Sequence, residues 1–330
     1  MELKKQRCSK ETILDMLIEN CGKFVPGELF SKVAGISRAG VWKQISDLRK
    51  RGFIIDASIR KGYCLSEVPD VLFAPVIQAG LETRGIAKEI FSFDTIDSTN
   101  RIAKEFALSG VTDGALVVAD HQSRGRGRMN RSWLSTPGTN ILCSLIFYPP
   151  LDTSSIFRLT MMTSVAVVRA IERQCGLRSQ IKWPNDIYLN KKKICGILTE
   201  FSADFDRILH AVVGIGINVN FKTGGQSALK DIATSLCEVL GKEVPRLALL
   251  KAILEEIDTG YTALKDHGNN DLRMQWEQYS MILNRPVSVI AGDKTINGTV
   301  AGITDNGHLM LVDTSGAQQE ILCGDVSLRL

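Results

Sequence analysis

No Gly-x-x-x-x-Gly-Lys-Ser/Thr run occurs in the 330 residues, so any nucleotide this chain handles is handled without a P-loop. The eight cysteines (Cys8, Cys21, Cys64, Cys143, Cys175, Cys195, Cys237 and Cys323) include no Cys-x-x-Cys pair and are dispersed, which predicts reduced thiols serving mostly as small apolar residues. Four scattered histidines (His121, His210, His267 and His308) give neither a zinc cluster nor a Cys/His nucleophile pair, so no structural metal is expected. Behind the charges of Met1 to Arg7 there is no apolar leader core, and no segment is expected to reach the length of a membrane span. Low-complexity tracts and internal repeats are also missing. The expectation is a cytoplasmic protein of two or three domains with no membrane contact.

What the chain does have is an uneven distribution of charge. Residues 1–66 hold 13 Lys and Arg against 7 Asp and Glu, whereas the remainder holds 27 against 29. The basic surplus is therefore entirely amino-terminal. The same stretch reads as three helices and a hairpin. Ile13, Leu14, Leu17 and Ile18 recur at helical spacing behind Ser9, Pro26 opens a second helix ended by Gly35, and Ser37 caps a third that Gly52 ends. Residues 53–65 read as two short strands around a basic turn. That order looks like a winged helix-turn-helix, in which Arg38, Trp42, Lys43, Arg49 and Lys50 of the third helix would face the major groove of DNA or its flanking phosphates, with Arg60 and Lys61 on the wing adding backbone contacts. The alternative is a small helical adaptor whose charges only solvate it.

After an expected linker from Pro69 to Pro75, Asp97-Ser98-Thr99-Asn100 follows a short strand and starts a helix. Those hydroxyls and amides could simply begin the helix, or could satisfy a small polar ring. Next, Ala115 to Ala119 reads as a buried strand that runs into Gly125-Arg-Gly-Arg-Met-Asn-Arg-Ser-Trp133, where Arg126, Arg128 and Arg131 supply guanidinium forks and Gly125 and Gly127 allow close backbone approach. This is either an anion site or a solvated turn. Gln180 to Leu189 resumes strand character but is interrupted by Pro184, and a last strand near 208–220 carries Gly214, Gly216 and Asn218. Glycines inside a buried strand mark a place where something packs closely on the backbone. From Pro286 onward, turn signals at Gly292, Asn297, Asn306 and Ser315 separate short strands.

Three of these motifs together, Asp97 to Asn100, Gln122 to Trp133, and Lys182-Trp-Pro-Asn-Asp186 continuing to Lys193 and Gly196-Ile-Leu198, resemble those of the bifunctional biotin protein ligases that double as biotin operon repressors. The resemblance covers essentially the whole chain. It implies an α+β multidomain protein: a winged helix-turn-helix (1–68), a mixed α/β ligase domain of the biotin/lipoate type (69–277) and an SH3-like carboxy-terminal barrel (278–330). It further implies that biotin is joined to AMP from ATP with Mg²⁺, then transferred to a lysine of the biotin carboxyl carrier protein of acetyl-CoA carboxylase. A homodimer formed on biotinyl-5'-AMP would bind operator DNA.

Carried over by motif, Ser98, Thr99, Asn100, Gln122, Arg126, Gly127, Arg128 and Lys193 would bind biotin. Arg128, Arg131, Trp133 and Asn218 would bind the nucleotide, and Lys193, Arg126, Arg128 and Asp186 would carry the chemistry. Where the family's loop commonly reads Gly-Arg-Gly-Arg-Arg-Gly-Arg-x-Trp, this chain has Met129-Asn130 in place of Arg-Gly. Lipoate or octanoate ligases share the implied fold and are the first rival, and a catalytically dead biotin sensor is the second.

Overall fold

A computed structural model describes residues 9–225, 231–267, 271–322 and 324–328; Met1 to Arg7, Cys8 and Cys323 lie outside them. The chain falls into two compact units, Met1–Leu81 and Glu82–Leu330.

In the first unit, α1 (Ser9–Glu19), α2 (Gly27–Ala34) and α3 (Arg38–Lys50) are followed by the antiparallel hairpin β1 (Ile54–Ser58) and β2 (Gly62–Glu67). Ile13, Leu14, Leu17, Phe30, Val41, Ile45, Leu48 and Leu65 fill one buried core. The turn between α2 and α3 uses the expected residues: Gly35 takes φ 64°, which a side chain would disfavour, and Ser37 Oγ accepts the Gly40 N–H at 3.1 Å. The expected linker is partly structured, because Ala74–Gln78 forms α4 and packs on α1. Five residues with a proline in the first turn are too short for any periodicity to reveal the helix.

The second unit is built on a mixed seven-stranded sheet. Its elements are β3 (Ile90–Ile96), α5 (Thr99–Leu108), β4 (Ala115–Gln122), the two-residue strands β5 (Gly125–Arg126) and β6 (Ser132–Trp133), β7 (Asn140–Phe147), α6 (Phe157–Cys175), β8 (Gln180–Lys182), β9 (Asp186–Leu189), β10 (Lys192–Asp204), β11 (Arg207–Asn218), α7 (Leu236–Leu240), α8 (Arg246–His267) and α9 (Leu272–Gln278). The strand order is β3-β4-β7-β11-β10-β9-β8, with β3 and β4 parallel and the other neighbours antiparallel. α5 packs on β4, β7 and β11, while α6 packs on α8 and β10. Every residue of β7 is buried, which accounts for its mostly apolar composition, and its two polar residues, Asn140 and Ser144, are hydrogen-bonded.

One segment overturns the expectation that nothing approaches a membrane span. The helical stretch Thr153–Cys175 is long and apolar enough to cross a bilayer, but 67% of its most apolar window is buried inside the protein. It is a core helix. Its internal hydroxyls are satisfied locally, with Thr163 donating to the Leu159 carbonyl at 2.7 Å and Ser164 to the Thr160 carbonyl at 2.8 Å.

The carboxy-terminal strands β12 (Pro286–Ala291), β13 (Lys294–Ile303), β14 (Leu309–Val312), β15 (Gln318–Ile321) and β16 (Asp325–Leu328) form a five-stranded antiparallel sheet ordered β15-β14-β13-β12-β16. The buried Trp183 indole donates to the Gly307 carbonyl at 2.9 Å, and a Cβ on Gly307 would lie 2.3 Å from Phe157. Bare backbone there lets the small sheet seat closely against α6.

Candidate functional site

A cavity of about 440 Å³ opens where the amino end of α5, the end of β4, the β5–β6 hairpin and the middle of β10 and β11 meet. Ser98, Thr99, Asn100, Gln122, Arg126, Gly127, Arg128, Arg131, Trp133, Asp186, Lys193 and Asn218 all line it. They come from segments up to 120 positions apart, so the fold gathers every ligand or catalytic residue nominated from the three motifs.

At one end, Ser98 holds the N-cap position of α5 but makes no side-chain capping bond, and its own N–H is met instead by Asp97 Oδ1 at 2.8 Å. The Ser98 hydroxyl is therefore not committed to the helix. The Arg101 guanidinium beside Asp97 holds that carboxyl below its ordinary range. The Thr99 N–H donates to Gln122 Oε1 at 2.6 Å, and the Thr99 hydroxyl points to the same oxygen at 3.0 Å. Asn100 behaves differently from its neighbours. Its amide is bound by the Leu198 carbonyl, Glu200 and Ser144, so it serves the protein more than a ligand.

Across the cavity, β5 and β6 pair Gly125 with Trp133 and Arg126 with Ser132, making the arginine loop a small hairpin. A Cβ on Gly125 would lie 2.6 Å from the Trp133 carbonyl, so this strand needs glycine. Met129 and Asn130 occupy left-handed backbone, at φ 53° and 57°. Asparagine tolerates that region, whereas methionine does so at a cost, which places backbone strain at the position where the chain departs from the family pattern. Arg128 donates to Asn185 Oδ1 and to the Gly324 carbonyl, both at 3.2 Å, and Arg131 pairs with Asp325 Oδ2 at 2.6 Å. The carboxy-terminal sheet thus contributes to the cavity. Nothing in the sequence between positions 131 and 325 indicated it.

Three strand glycines are explained by what lies on them. A Cβ on Gly216 would sit 2.7 Å from the Trp133 indole, one on Gly196 3.1 Å from the same ring, and one on Gly214 2.0 Å from Asn100 Oδ1. Trp133 therefore lies flat on bare backbone, with its indole nitrogen buried and without a hydrogen-bond partner among the described residues.

The β9–β10 turn uses Asn190 and Lys191 at φ 50° and 63° and returns Lys193 alongside Tyr188. Lys193 Nζ lies 2.7 Å from Asp186 Oδ1 and 5.6 Å from the centre of the Trp133 ring. The Lys193 main chain bonds a short strap at both faces, through the Ile232 carbonyl and the Thr234 N–H, each at 3.0 Å. Asn218 holds that strap by donating to the Thr234 carbonyl at 3.1 Å while accepting from the buried Asn140 at 3.1 Å. Burial pushes the Tyr188 hydroxyl up to about 12 and draws the neighbouring Lys182 ammonium down. Asn140, Asn185, Tyr188, Ile232 and Asp325 were not nominated from the sequence. Only Asn185, inside the Trp-Pro-Asn-Asp motif, carried a signal there.

On the first unit, Arg38, Trp42, Lys43, Arg49 and Lys50 are all exposed on α3, and Arg60 and Lys61 are exposed at the hairpin turn. Trp42 is 63% exposed, far more than a core tryptophan. Arg49 is turned to the wing, donating from Nε to the Ile55 carbonyl at 2.9 Å, and Arg38 pairs with Glu28. Trp42, Lys43, Arg60 and Lys61 are the more available for a nucleic acid.

A helix-turn-helix unit joined to a mixed sheet, with an arginine hairpin and a paired lysine over one cavity, defines a ligase-type catalytic unit carrying a DNA-binding module. Family models match in the same order: an HTH domain over residues 9–64, the biotin/lipoate A/B protein ligase family over 92–218 and the biotin protein ligase C-terminal domain over 282–329. The bifunctional ligase/repressor BirA of Bacillus subtilis is 36% identical over 320 residues, covering 97% of this chain and 98% of its own length. The Escherichia coli protein of that name is 29% identical over 93% and 94%. The solved biotin protein ligase from Aquifex aeolicus in complex with biotin and ATP superposes with a TM-score of 0.64 at 32% identity, over 73% of this chain and 99% of that one. The chain belongs to the family of bifunctional biotin ligase/repressors.

Proposed function

We propose that this protein activates biotin with ATP to biotinyl-5'-AMP, passes the biotinyl group to a lysine of the biotin carboxyl carrier protein of acetyl-CoA carboxylase, and represses the biotin operon through its amino-terminal unit. The observation that carries the reading is the convergence of eleven motif residues, with Asn218, on one cavity that is polar at the Ser98–Gln122 end and cationic at the arginine end. We place its action in the cytoplasm, where ATP, carrier and operator meet.

The reaction begins with the biotin carboxylate attacking the α-phosphate of ATP, expelling pyrophosphate. Two anions must approach, and Lys193 stands where one ammonium can neutralise both while Arg126, Arg128 and Arg131 take the phosphate oxygens. Mg²⁺ would come with ATP as its counter-ion and would supply charge neutralisation at the phosphates. In the second step the carrier lysine amine attacks the acyl carbon, AMP leaves, and the amine proton passes to Asp186, which must first release Lys193. Trp133 offers the adenine a flat face. Asn218 supports that end by holding the Ile232–Thr234 strap.

For repression, the adenylate orders the arginine hairpin, a homodimer forms, and two winged helices meet a two-fold operator. Incubation with ATP, Mg²⁺ and an apo carrier domain tests the ligase half. Biotin should label the carrier and lipoate should not. Equal labelling by lipoate, or none by biotin, overturns it.

A further inference from the structure

The polar network behind Thr99 has a fixed direction. Asn100 Nδ2 carries two protons and meets two groups that can only accept, the Leu198 carbonyl at 3.2 Å and Glu200 Oε2 at 2.9 Å. Its Oδ1 must therefore face Ser144 Oγ, 2.6 Å away. At the other end, the Thr99 N–H fixes Gln122 Oε1 as an acceptor and leaves Gln122 Nε2 free of hydrogen bonds among the described residues. Between these two acceptors stand two hydroxyls, Ser144 Oγ and Thr99 Oγ1, which lie 2.8 Å apart. Three oxygen contacts, from Asn100 to Ser144, from Ser144 to Thr99 and from Thr99 to Gln122, are thus served by two hydroxyl protons.

The run is one proton short. When both end acceptors are served, neither hydroxyl proton lies between Ser144 and Thr99, and Thr99 Oγ1 has only lone pairs left to offer, so towards the cavity it accepts and cannot donate. Lys104 Nζ holds Glu200 Oε1 at 2.8 Å and leaves Oε2 for Asn100. Although burial would raise the Glu200 carboxyl, the Lys104 and Asn100 bonds keep it below its ordinary value, so it remains an acceptor. The glycine at 214 admits the Asn100 amide against the sheet.

We propose that Glu200 and Ser144 are positioning residues for recognition of the cyclic urea of biotin: by holding Asn100 in one orientation they leave the Thr99 hydroxyl as acceptor for a ureido N–H, with Gln122 Nε2 as donor for the ureido carbonyl. This rests on the biotin reading above. A glutamine at 200 can donate as well as accept, so the orientation of Asn100 is left to the Leu198 carbonyl alone. With Asn100 less firmly held, Ser144 no longer keeps its proton on Asn100 Oδ1, and Thr99 is no longer held in one direction towards a ligand N–H.

The test is calorimetric titration of the full chain, with and without Glu200→Gln or Ser144→Ala, using biotin and a biotin methylated at a ureido nitrogen, together with steady-state KM for ATP. Each variant should bind biotin on the order of tenfold more weakly, as loss of one oriented buried hydrogen bond implies. Glu200→Gln should discriminate less against the methylated ligand, while KM for ATP stays within a factor of about two. Ser144→Ala serves if Glu200→Gln does not fold. Biotin binding as tight and as selective as wild type in the variants, or an equal loss for biotin, methylated biotin and ATP, would overturn the proposal alone. A wild-type chain that binds no biotin would overturn the parent reading with it.

Discussion

Lys193 Nζ and Asp186 Oδ1 are in contact at 2.7 Å across neighbouring strands, and both remain partly open to the cavity, at 30% and 24% exposure. The pair is held by main chain on every side: Asp186 sits opposite Gly196 in the β9–β10 register, and the Ile232–Thr234 strap fixes Lys193. We predict that Lys193→Ala lowers adenylation by about 100-fold or more, the typical effect of losing one oriented charge at a developing oxyanion. Thermal unfolding should stay cooperative. Pyrophosphate exchange at near wild-type rate would remove Lys193 from this role.

Gly216→Ala should loosen the arginine hairpin, because the new Cβ would lie 2.7 Å from the rigid Trp133 ring. Overpacking of that kind costs about 1–3 kcal/mol. Urea unfolding should report the loss, and KM for ATP should rise with it. An unchanged midpoint and KM would mean that Trp133 does not rest on β11 in solution.

Removing residues 1–81, the whole first unit, should abolish operator binding and leave adenylation largely intact, since every residue of the cavity lies beyond it. In the full chain, Lys43→Ala should weaken binding to all operator sequences alike and reduce the salt slope by about one. Operator-specific binding by the truncated chain would refute the assignment.

Glu238 gives a pH prediction. Its Oε1 accepts the Thr223 N–H at 2.7 Å and its Oε2 the Thr234 hydroxyl at 3.2 Å, which ties together both ends of the segment leading to the Lys193 strap. Burial alone would raise the carboxyl, but these hydrogen bonds hold it below 4.5. A depressed folded pKa stabilises the protein above the unfolded value, and the benefit is lost as pH falls through the folded one. The difference in unfolding free energy between wild type and Glu238→Gln should therefore be constant above pH about 4.5 and shrink below it. A difference that grows on acidification would contradict the sign.

Biotin with ATP should raise both solution mass and operator affinity, and Arg128→Ala should uncouple them from ligand because that guanidinium joins the hairpin to Asn185 and Gly324. Light scattering and operator titration at fixed salt measure the two. Indifference of both to ligand in the wild type would leave an unregulated DNA binder.

The residues that could be read from sequence are those that announce themselves by type and neighbourhood. Lys193, Trp133 and the three arginines lie in dense motifs, and Gly214 and Gly216 were legible because a bare position in a buried strand demands a neighbour. Asp325, Asn140, Ser144 and Glu200 were not, since each acts on a residue at least 40 positions away and looks ordinary in its own strand. The Arg49 engagement with Ile55 was hidden for a related reason: helical spacing gives a face but not the direction in which a long side chain folds back.

The apolar helix α6 has a consequence for synthesis. Its packing partners β10 and α8 both follow it in the chain, the latter ending at His267. At ~5–20 residues per second, a ribosome needs roughly 5–20 s after completing α6 to deliver α8. Between its own emergence from the ribosome and that of α8, a segment apolar enough to enter a bilayer lacks the α8 part of its cover. Nascent-chain yield should therefore depend on whatever shields residues 157–175 during translation, and substitutions that slow elongation between positions 176 and 267 should lower the yield of native protein without altering the stability of the molecules that do fold.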